Sequence, residues 1–598
     1  MLNYDEWIIT NKNGTYSSST VSFMNTRTYH GLFVKNMNNS FERYVLLSKL
    51  FEEILIDNNI YNLDTNQYND IYIYPDGYKY LINYNKFPVP EFNYQINNIK
   101  IKKRIILDPY NDFLKIRYDF SGKIKNFKLT PLIAFRSFYN TVNNDNIKYN
   151  IKNGNNYLNI NYNNTNLNIE YSGKFNGNPL WYYNFTYFID KERGSGYKEN
   201  LFSPGNIEFN NINSLEINIY SGVKNNIDFN TLLNRYLNLL SDINDKNIKK
   251  LVNISTYFLT GNNIIAGYYW FGAWARDTMI SLPGNVLIPK KFGLAKKILE
   301  NYINLGIPMK TNFNSNDVSE DVSLWFIYAM KKYYDYTEDI NFIKNNINYM
   351  KKLINYYLNE NDLHKIYNGF IILKKGHLTW MDGKYNDVVF TPRNGGAIEI
   401  NALWYNALMT MKYFYDKLNL NFDSVYGNTI NLLKNNFKNY YLKDGRFMDT
   451  IYPDDTSFRP NFIFAFSLPF NILDNFNDYK NDVDNELLTK YGLRTLSIMD
   501  KNFKPVYIGD QYSRDSAYHN GTVWPWLVGP YITASVRSGY NKNKLYDYFK
   551  NLFSMEYVPE IFDGLNPDKP KGCIIQSWSY AELIRSYYED IKNNINIK

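Results

Sequence analysis

A few short segments of this sequence could carry chemistry. Trp380-Met381-Asp382-Gly383 sets a carboxylate beside an indole at a turn. An apolar wall raises a carboxyl pKa, which lets the group stay protonated and serve as a general acid. Asp-Gly is also a common turn signal, so the tetrapeptide means little alone. Pro559-Glu560-Ile561-Phe562-Asp563-Gly564 adds two carboxylates in a loop-like stretch, and Gly572-Cys573-Ile574-Ile575-Gln576-Ser577-Trp578 opens the last helical run. In Trp274-Ala275-Arg276-Asp277-Thr278 an arginine and an aspartate stand side by side, able to hold hydroxyls bidentately or to form a plain surface ion pair. Glu399 opens an apolar helical stripe, where a favourable helix-end charge accounts for it as readily as a site does. The block from Tyr518-His519-Asn520-Gly521 to Trp524-Pro525-Trp526 is dense in rings and hydrogen-bonding groups. Carboxylates spread over helix-joining loops, with tryptophan between them, are what acid/base cleavage of a glycosidic bond requires.

Composition narrows the alternatives. The 598 residues include 58 Tyr and 39 Phe but only 10 Trp, 4 His and one Cys. Tyr, Phe, Asn, Ile and Lys share AT-rich codons, so their excess follows mutational bias, and tryptophan is the more informative ring. Trp270, Trp274, Trp380, Trp524, Trp526 and Trp578 sit beside Gly, Pro, Asp or Arg at element ends, as in a pocket that stacks sugar faces. Packing at the corners of a helical barrel explains any single one of them equally simply. One Cys forbids a disulfide scaffold, and four scattered His and Cys573 leave no zinc pattern. Cys573 reads as a small buried thiol. There is no phosphate-binding loop, no Gly-x-Ser-x-Gly and no His-Glu-x-x-His. A net charge of +8, with lysine dispersed, gives no nucleic-acid footprint. No apolar run is long enough to span a bilayer and the N-terminus lacks signal-peptide features, so the expectation is a soluble, cytoplasmic protein without cofactor.

The elements that must position these residues change character along the chain. Up to about residue 225, Leu158-Asn159-Ile160-Asn161-Tyr162 and Leu215-Glu216-Ile217-Asn218-Ile219-Tyr220 alternate with period two between Asn/Gly turns, which predicts an antiparallel β-sandwich. Beyond about 230 the period is helical. Ile400, Leu403, Trp404, Ala407, Leu408 and Met411 form one stripe. Similar runs near 231–257, 292–304, 321–335, 340–358, 428–441, 485–498, 522–537, 543–554 and 574–590 predict a large all-α barrel. The division is a β-sandwich over 1–228, a helical linker over 229–260 and a helical catalytic domain over 261–598.

Together the motifs resemble the glycogen-debranching enzyme family of bacteria and archaea, specifically its amylo-α-1,6-glucosidase part. The resemblance covers nearly the whole chain. It rests on Thr10-Asn11 and Val21-Ser22-Phe23-Met24-Asn25-Thr26-Arg27-Thr28-Tyr29-His30-Gly31-Leu32, then on Trp274 to Thr278, Leu378-Thr379-Trp380-Met381-Asp382, Thr391-Pro392-Arg393 with Glu399 to Leu408, Arg459-Pro460-Asn461, His519 to Pro530 and Gly572 to Glu582. It implies a β-sandwich followed by an (α/α)6 barrel, and removal of α-1,6-linked glucose from glycogen or branched dextrin with inversion. By the family pattern Asp382 is the general acid and Glu560 the base, with Asp563 as the rival base. Arg276 and Asp277 would hold the hydroxyls of the released glucose. Trp274, Trp380, Arg393, Glu399, His519, Trp524, Asp563, Gln576 and Trp578 would complete the sugar site. The chain departs from the pattern at Lys12-Asn13-Gly14-Thr15 and Ser17-Ser18-Ser19, where the family is richer in glycine, and at Gly396, where a basic residue is common. The rival readings are a glucoamylase-like exo-α-glucosidase and a non-catalytic carbohydrate-binding protein. The oligomeric state is not legible in the sequence.

Overall fold

A computed structural model describes residues 2–37, 42–238 and 245–592. The chain forms two compact units, residues 1–244 and 245–598. The division falls inside the predicted linker, whose helical run separates into Phe229–Asn238 and Lys246–Ser255; residues 239–244 lie outside the described residues.

The first unit is an antiparallel sheet-rich domain. Its long central strand, Phe113–Ser137, pairs with Lys198–Tyr220 along one edge. On the other edge it pairs first with Ile99–Leu107 and then with Glu42–Ile56. Register shifts between Asp119 and Ile124 and between Leu129 and Ile133 let the strand bend as it changes partner. The alternation read from the sequence is the burial pattern observed: Leu158, Ile160, Leu215, Ile217 and Ile219 are buried, and the residues between them are partly exposed. Trp7, Phe23 and Phe92 form an aromatic centre with ring centroids 4.6–5.9 Å apart. Two wholly buried ion pairs lock the sheet, Lys103 to Glu52 at 2.5 Å and Arg136 to Glu199. Each buried charge meets its opposite, which is the condition for carrying charge inside a core.

The second unit is predominantly helical. Its helices α1 (Ala275–Leu282), α2 (Val322–Thr337), α3 (Ile398–Lys417), α4 (Phe464–Ser467), α5 (Val528–Arg537) and α6 (Ser577–Ser586) contact one another in that order, and α6 returns to α1. Phe292–Ile303, Ile340–Leu358, Ser424–Tyr441 and Lys246–Ser255 pack against α2, α3, α3 and α6 respectively. The apolar stripe of α3 is buried throughout. No described helix is long and apolar enough to cross a membrane.

Two helical expectations need correction. Residues 485–498 do not form a helix: a helix ends at Glu486, and Leu488–Thr489 and Gly492–Arg494 are short strands. Gly492 has φ +147, far from a helical value, and a Cβ there would collide with the Trp524 backbone. The helix expected over 522–537 starts only at Val528, because Val523–Trp524 joins a five-stranded sheet with Leu488–Thr489, Gly492–Arg494, Ile561–Phe562 and Pro570–Lys571. This small sheet carries the segment between Glu560 and Asp563.

Candidate functional site

The site gathers at the N-terminal ends of the ring helices. Arg276 and Asp277 occupy the first turn of α1, Asp321 precedes α2, Glu399 lies in the first turn of α3 and Gln576 precedes α6. Arg276 organises one side. Its Nε and Nη2 donate to Asp321 at 2.6 and 3.0 Å, and Nη2 also donates to Ser319 Oγ at 2.7 Å and the Thr379 carbonyl at 3.0 Å. Nη1 donates to Asp382 Oδ2 at 3.0 Å. Burial works against the guanidinium charge, but Asp321 and Asp382 outweigh it and hold Arg276 above its ordinary pKa.

Asp382 keeps 44% of its side chain exposed, whereas Arg276 and Asp321 keep 9% and 1%. Its surroundings still remove enough water to raise its carboxyl above the usual range; Arg276 pulls the other way and Asp321 adds to the rise. Asp277 is pushed up to about 7, chiefly by burial, with Arg276 opposing and the charges of Asp382 and Glu560 reinforcing. Asp277 thus lies within electrostatic reach of both carboxylates singled out in the sequence, and Gln576 Nε2 donates to it at 3.4 Å.

Glu560 is built in the opposite manner. It is 2% exposed. Oε2 accepts the Cys573 N–H at 2.9 Å, and Oε1 accepts the Tyr518 hydroxyl. The backbone N–H of Glu560 returns to the Cys573 carbonyl at 3.0 Å. Gly572 makes this possible: it has φ +66, and a Cβ there would stand 2.3 Å from Glu560 Oε2. Cys573 is buried, its thiol donating to Gln576 Oε1 at 2.7 Å, and burial raises its pKa far above the ordinary value. Asp563 has other partners, the Tyr507 N–H at 2.7 Å and Lys571 at 3.7 Å.

Arg393 and Glu399 lie deeper. Arg393 is wholly buried, with Nε and Nη2 on Asp449 at 2.6 and 2.9 Å, Nη1 and Nη2 on Glu399, and Nη1 also on Thr379 Oγ1 at 3.2 Å. Asn461 donates to Asp449 at 2.7 Å and accepts the Trp380 indole N–H at 2.9 Å. Thr379 therefore serves both arginines, its carbonyl facing Arg276 and its hydroxyl facing Arg393. The tryptophans divide into two kinds. Trp380, Trp524, Trp526 and Trp578 are at most 5% exposed and pack on one another with centroids 4.9–5.8 Å apart. Trp274 is 37% exposed. His519 is buried among these rings, stacked on Trp524 at 5.4 Å.

The structure thus joins Arg276, Asp277, Asp382, Glu560 and Gln576 in one group and places Trp380, Arg393, Glu399, His519, Trp524 and Trp578 beneath or beside it. Sequence reasoning missed Asp321 and Asp449, and gave no role to Thr379, Asn461 and Tyr518 although each lies in a quoted motif. For Asp321 the signal was Ser319-Glu320-Asp321, whose acids directly precede a helix and read as an ordinary helix start. Among the described residues no group of three or more His, Cys, Asp or Glu is arranged to hold a metal ion.

Residues 246–585 match the family model described as amylo-alpha-1,6-glucosidase, and residues 5–215 match the one described as glycogen debranching enzyme N terminal. The glycogen debranching enzyme of Saccharomyces cerevisiae (strain ATCC 204508 / S288c) is 28% identical over 204 residues, covering 26% of this chain and 13% of that protein. The match therefore spans only a small part of that relative's length. Among solved structures, a bacterial glucoamylase complexed with acarbose has a similar fold, with TM-score 0.65 and 12% identity over 99% of this chain and 94% of that one. A GH63 mannosylglycerate hydrolase from Thermus thermophilus in complex with glucose aligns with TM-score 0.46 and 10% identity over 57% of this chain and all of that one.

Proposed function

Because the chain belongs to the amylo-alpha-1,6-glucosidase family of glycogen-debranching type, we propose that it is an inverting glycoside hydrolase removing α-1,6-linked glucose from branched α-glucans. The observation that carries this reading is the pairing of an open, arginine-held Asp382 with a closed, doubly hydrogen-bonded Glu560, both within electrostatic reach of Asp277. We read the closed ring of helices as the inner layer of an (α/α)6 barrel and the sheet-rich unit as a β-sandwich.

Asp382, whose proton affinity its surroundings raise, delivers a proton to the glycosidic oxygen as the C–O bond breaks. Glu560, ionised, takes a proton from a water that attacks the anomeric carbon from the opposite face, so an α-linkage yields β-glucose. This geometry needs the carboxylates about 6.5–9.5 Å apart, with room for that water. In this reading Asp277 and Gln576 hold sugar hydroxyls, and Trp274 offers the exposed ring face for stacking. Arg393, Glu399 and the buried tryptophans act as support, since the polar atoms of Arg393 and Glu399 and the ring faces of the tryptophans are already engaged by protein. Asp563 is assigned to the outer rim.

The deciding experiment follows glucose released from a branched limit dextrin by proton NMR. β-Glucose appearing first supports the reading. α-Glucose appearing first, or no release, overturns it. Running a linear maltooligosaccharide in parallel separates debranching from a glucoamylase-like activity, which the faster hydrolysis of the linear chain would establish.

A further inference from the structure

Helix Gln511–Tyr518 ends on two neighbouring residues that reach both carboxylate-bearing segments. The Tyr518 hydroxyl donates to Glu560 Oε1. At the next position the His519 ring accepts, at Nδ1, the N–H of Gly383, the residue that follows Asp382, at 3.3 Å. Nδ1 is thus an acceptor and the ring proton sits on Nε2. Burial, together with the charges of Arg459, Arg276 and Arg393, holds His519 well below its ordinary pKa and keeps that acceptor free of a proton.

The dipeptide is itself fixed. Arg459 Nη1 donates to the His519 carbonyl at 2.6 Å, and Arg459 Nη2 donates to Asn520 Oδ1 at 3.0 Å. The Trp524 indole N–H donates to the Tyr518 carbonyl at 3.2 Å, and Trp524 packs against both rings, at 5.0 and 5.4 Å. Gly383 allows the contact, since a Cβ there would stand 3.1 Å from Nδ1.

We propose that Tyr518-His519 is a clamp of two positioning residues that sets the separation of Asp382 and Glu560 for the inverting reaction. It rests on the functional reading above. Two segments distant in sequence are tied to adjacent residues whose Cα atoms are held about 3.8 Å apart, so the backbone that carries Asp382 and the Glu560 carboxylate are both referred to one short stretch of chain. Such precision matters because a displacement of about 1 Å costs on the order of 100-fold in rate. Tyr518 also favours Glu560 as the anion; Cys573 and Asp277 are among the titratable groups that face it.

The test uses the full chain and begins with the wild type on branched dextrin and on maltooligosaccharide. Glucose release with inversion from either substrate establishes the acid/base pair. No release from either overturns the functional reading and the clamp with it. Tyr518→Phe is then expected to lower kcat by about 10- to 100-fold with KM little changed. The acidic limb of its kcat/KM profile should move to higher pH as the base loses its donor. His519→Leu is expected to lower kcat comparably, and His519→Asn to recover most of it, because its amide oxygen occupies the place of Nδ1. Thermal unfolding of each variant, followed by assay well below its transition, keeps folding apart from positioning. An active wild type in which Tyr518→Phe leaves both kcat and the pH profile unmoved, or in which His519→Asn is no better than His519→Leu at equal stability, overturns the clamp alone.

Discussion

The segment that carries Asp382 and the one that carries Glu560 solve opposite problems. Asp382 is open and makes one charged contact, to Arg276, itself braced by Asp321, Ser319 and Thr379. Glu560 is closed in, with one oxygen on a backbone N–H and the other on a tyrosine hydroxyl. An acid must meet a leaving-group oxygen that arrives with substrate, so it faces outward and its proton affinity is set by what surrounds it. In the proposed reaction the base works on one small water, so burial costs it no access, and hydrogen-bond donors on its oxygens favour the anion. The contrast lies in the supporting groups, an arginine for one carboxylate and neutral donors for the other, and the proposed division of labour rests on it.

The strongest way to break this contrast is to remove each carboxylate in turn. Asp382→Asn and Glu560→Gln should each lose on the order of 10²- to 10⁴-fold in kcat, while Asp563→Asn stays within a few-fold. A glucosyl substrate with a highly acidic leaving group sharpens the test. It needs no proton, so it should restore Asp382→Asn and leave Glu560→Gln inactive. Equal losses at Asp563 and Glu560 would reassign the base.

A smaller effect isolates the closed side. Gly572→Ala places a methyl group on Glu560 Oε2 and forces alanine to a φ of +66, so kcat should fall about 10-fold or more, with a displacement of about 1 Å enough to do so. Gly445→Ala is the matched control: its φ is +82 with nothing within 4 Å, leaving only a backbone cost of about 1 kcal/mol. Similar kinetics in the two variants would show that Glu560 is not held as tightly as its bonds imply.

The smallest effect concerns Asp277, which both carboxylates influence. Its pKa rises on folding from the ordinary aspartate range to about 7. Between those values the folded chain keeps a proton that the unfolded chain releases, so this group's contribution to stability falls as pH rises from about 4 to 7. The slope is at most on the order of 1.4 kcal/mol per pH unit. Melting temperatures across that window should decline less in Asp277→Asn than in the wild type; parallel curves would place Asp277 in a wetter setting.

Much of this was legible in residue order. The alternation at 158–162 and 215–220 and the stripe from Ile400 to Met411 encode strand and helix directly, because each face meets one environment over several residues. The segment 485–498 misled because Leu487, Leu488, Leu493, Leu496 and Ile498 make it apolar enough for a helix without a helical period, and its real pairings are two or three residues long. In the site, Asp382 was a candidate through its neighbours Trp380 and Gly383, and the choice of Glu560 over Asp563 came from the family resemblance. Their partners did not stand out. Asp321 looks like any acid before a helix, Asp449 sits in an apolar run, and Tyr518 is one of 58 tyrosines. Which side chain bonds to which is decided by tertiary placement, and local order holds no record of it.

The two classes of tryptophan also have an optical consequence. Trp274 is the most exposed of the indoles, two residues before the arginine that bonds Asp382. A water-soluble quencher will therefore dim this emitter first and leave the packed indoles bright. If a sugar ring rests on Trp274, as proposed, it would shield this emitter, and quenching would then report occupancy beside Arg276.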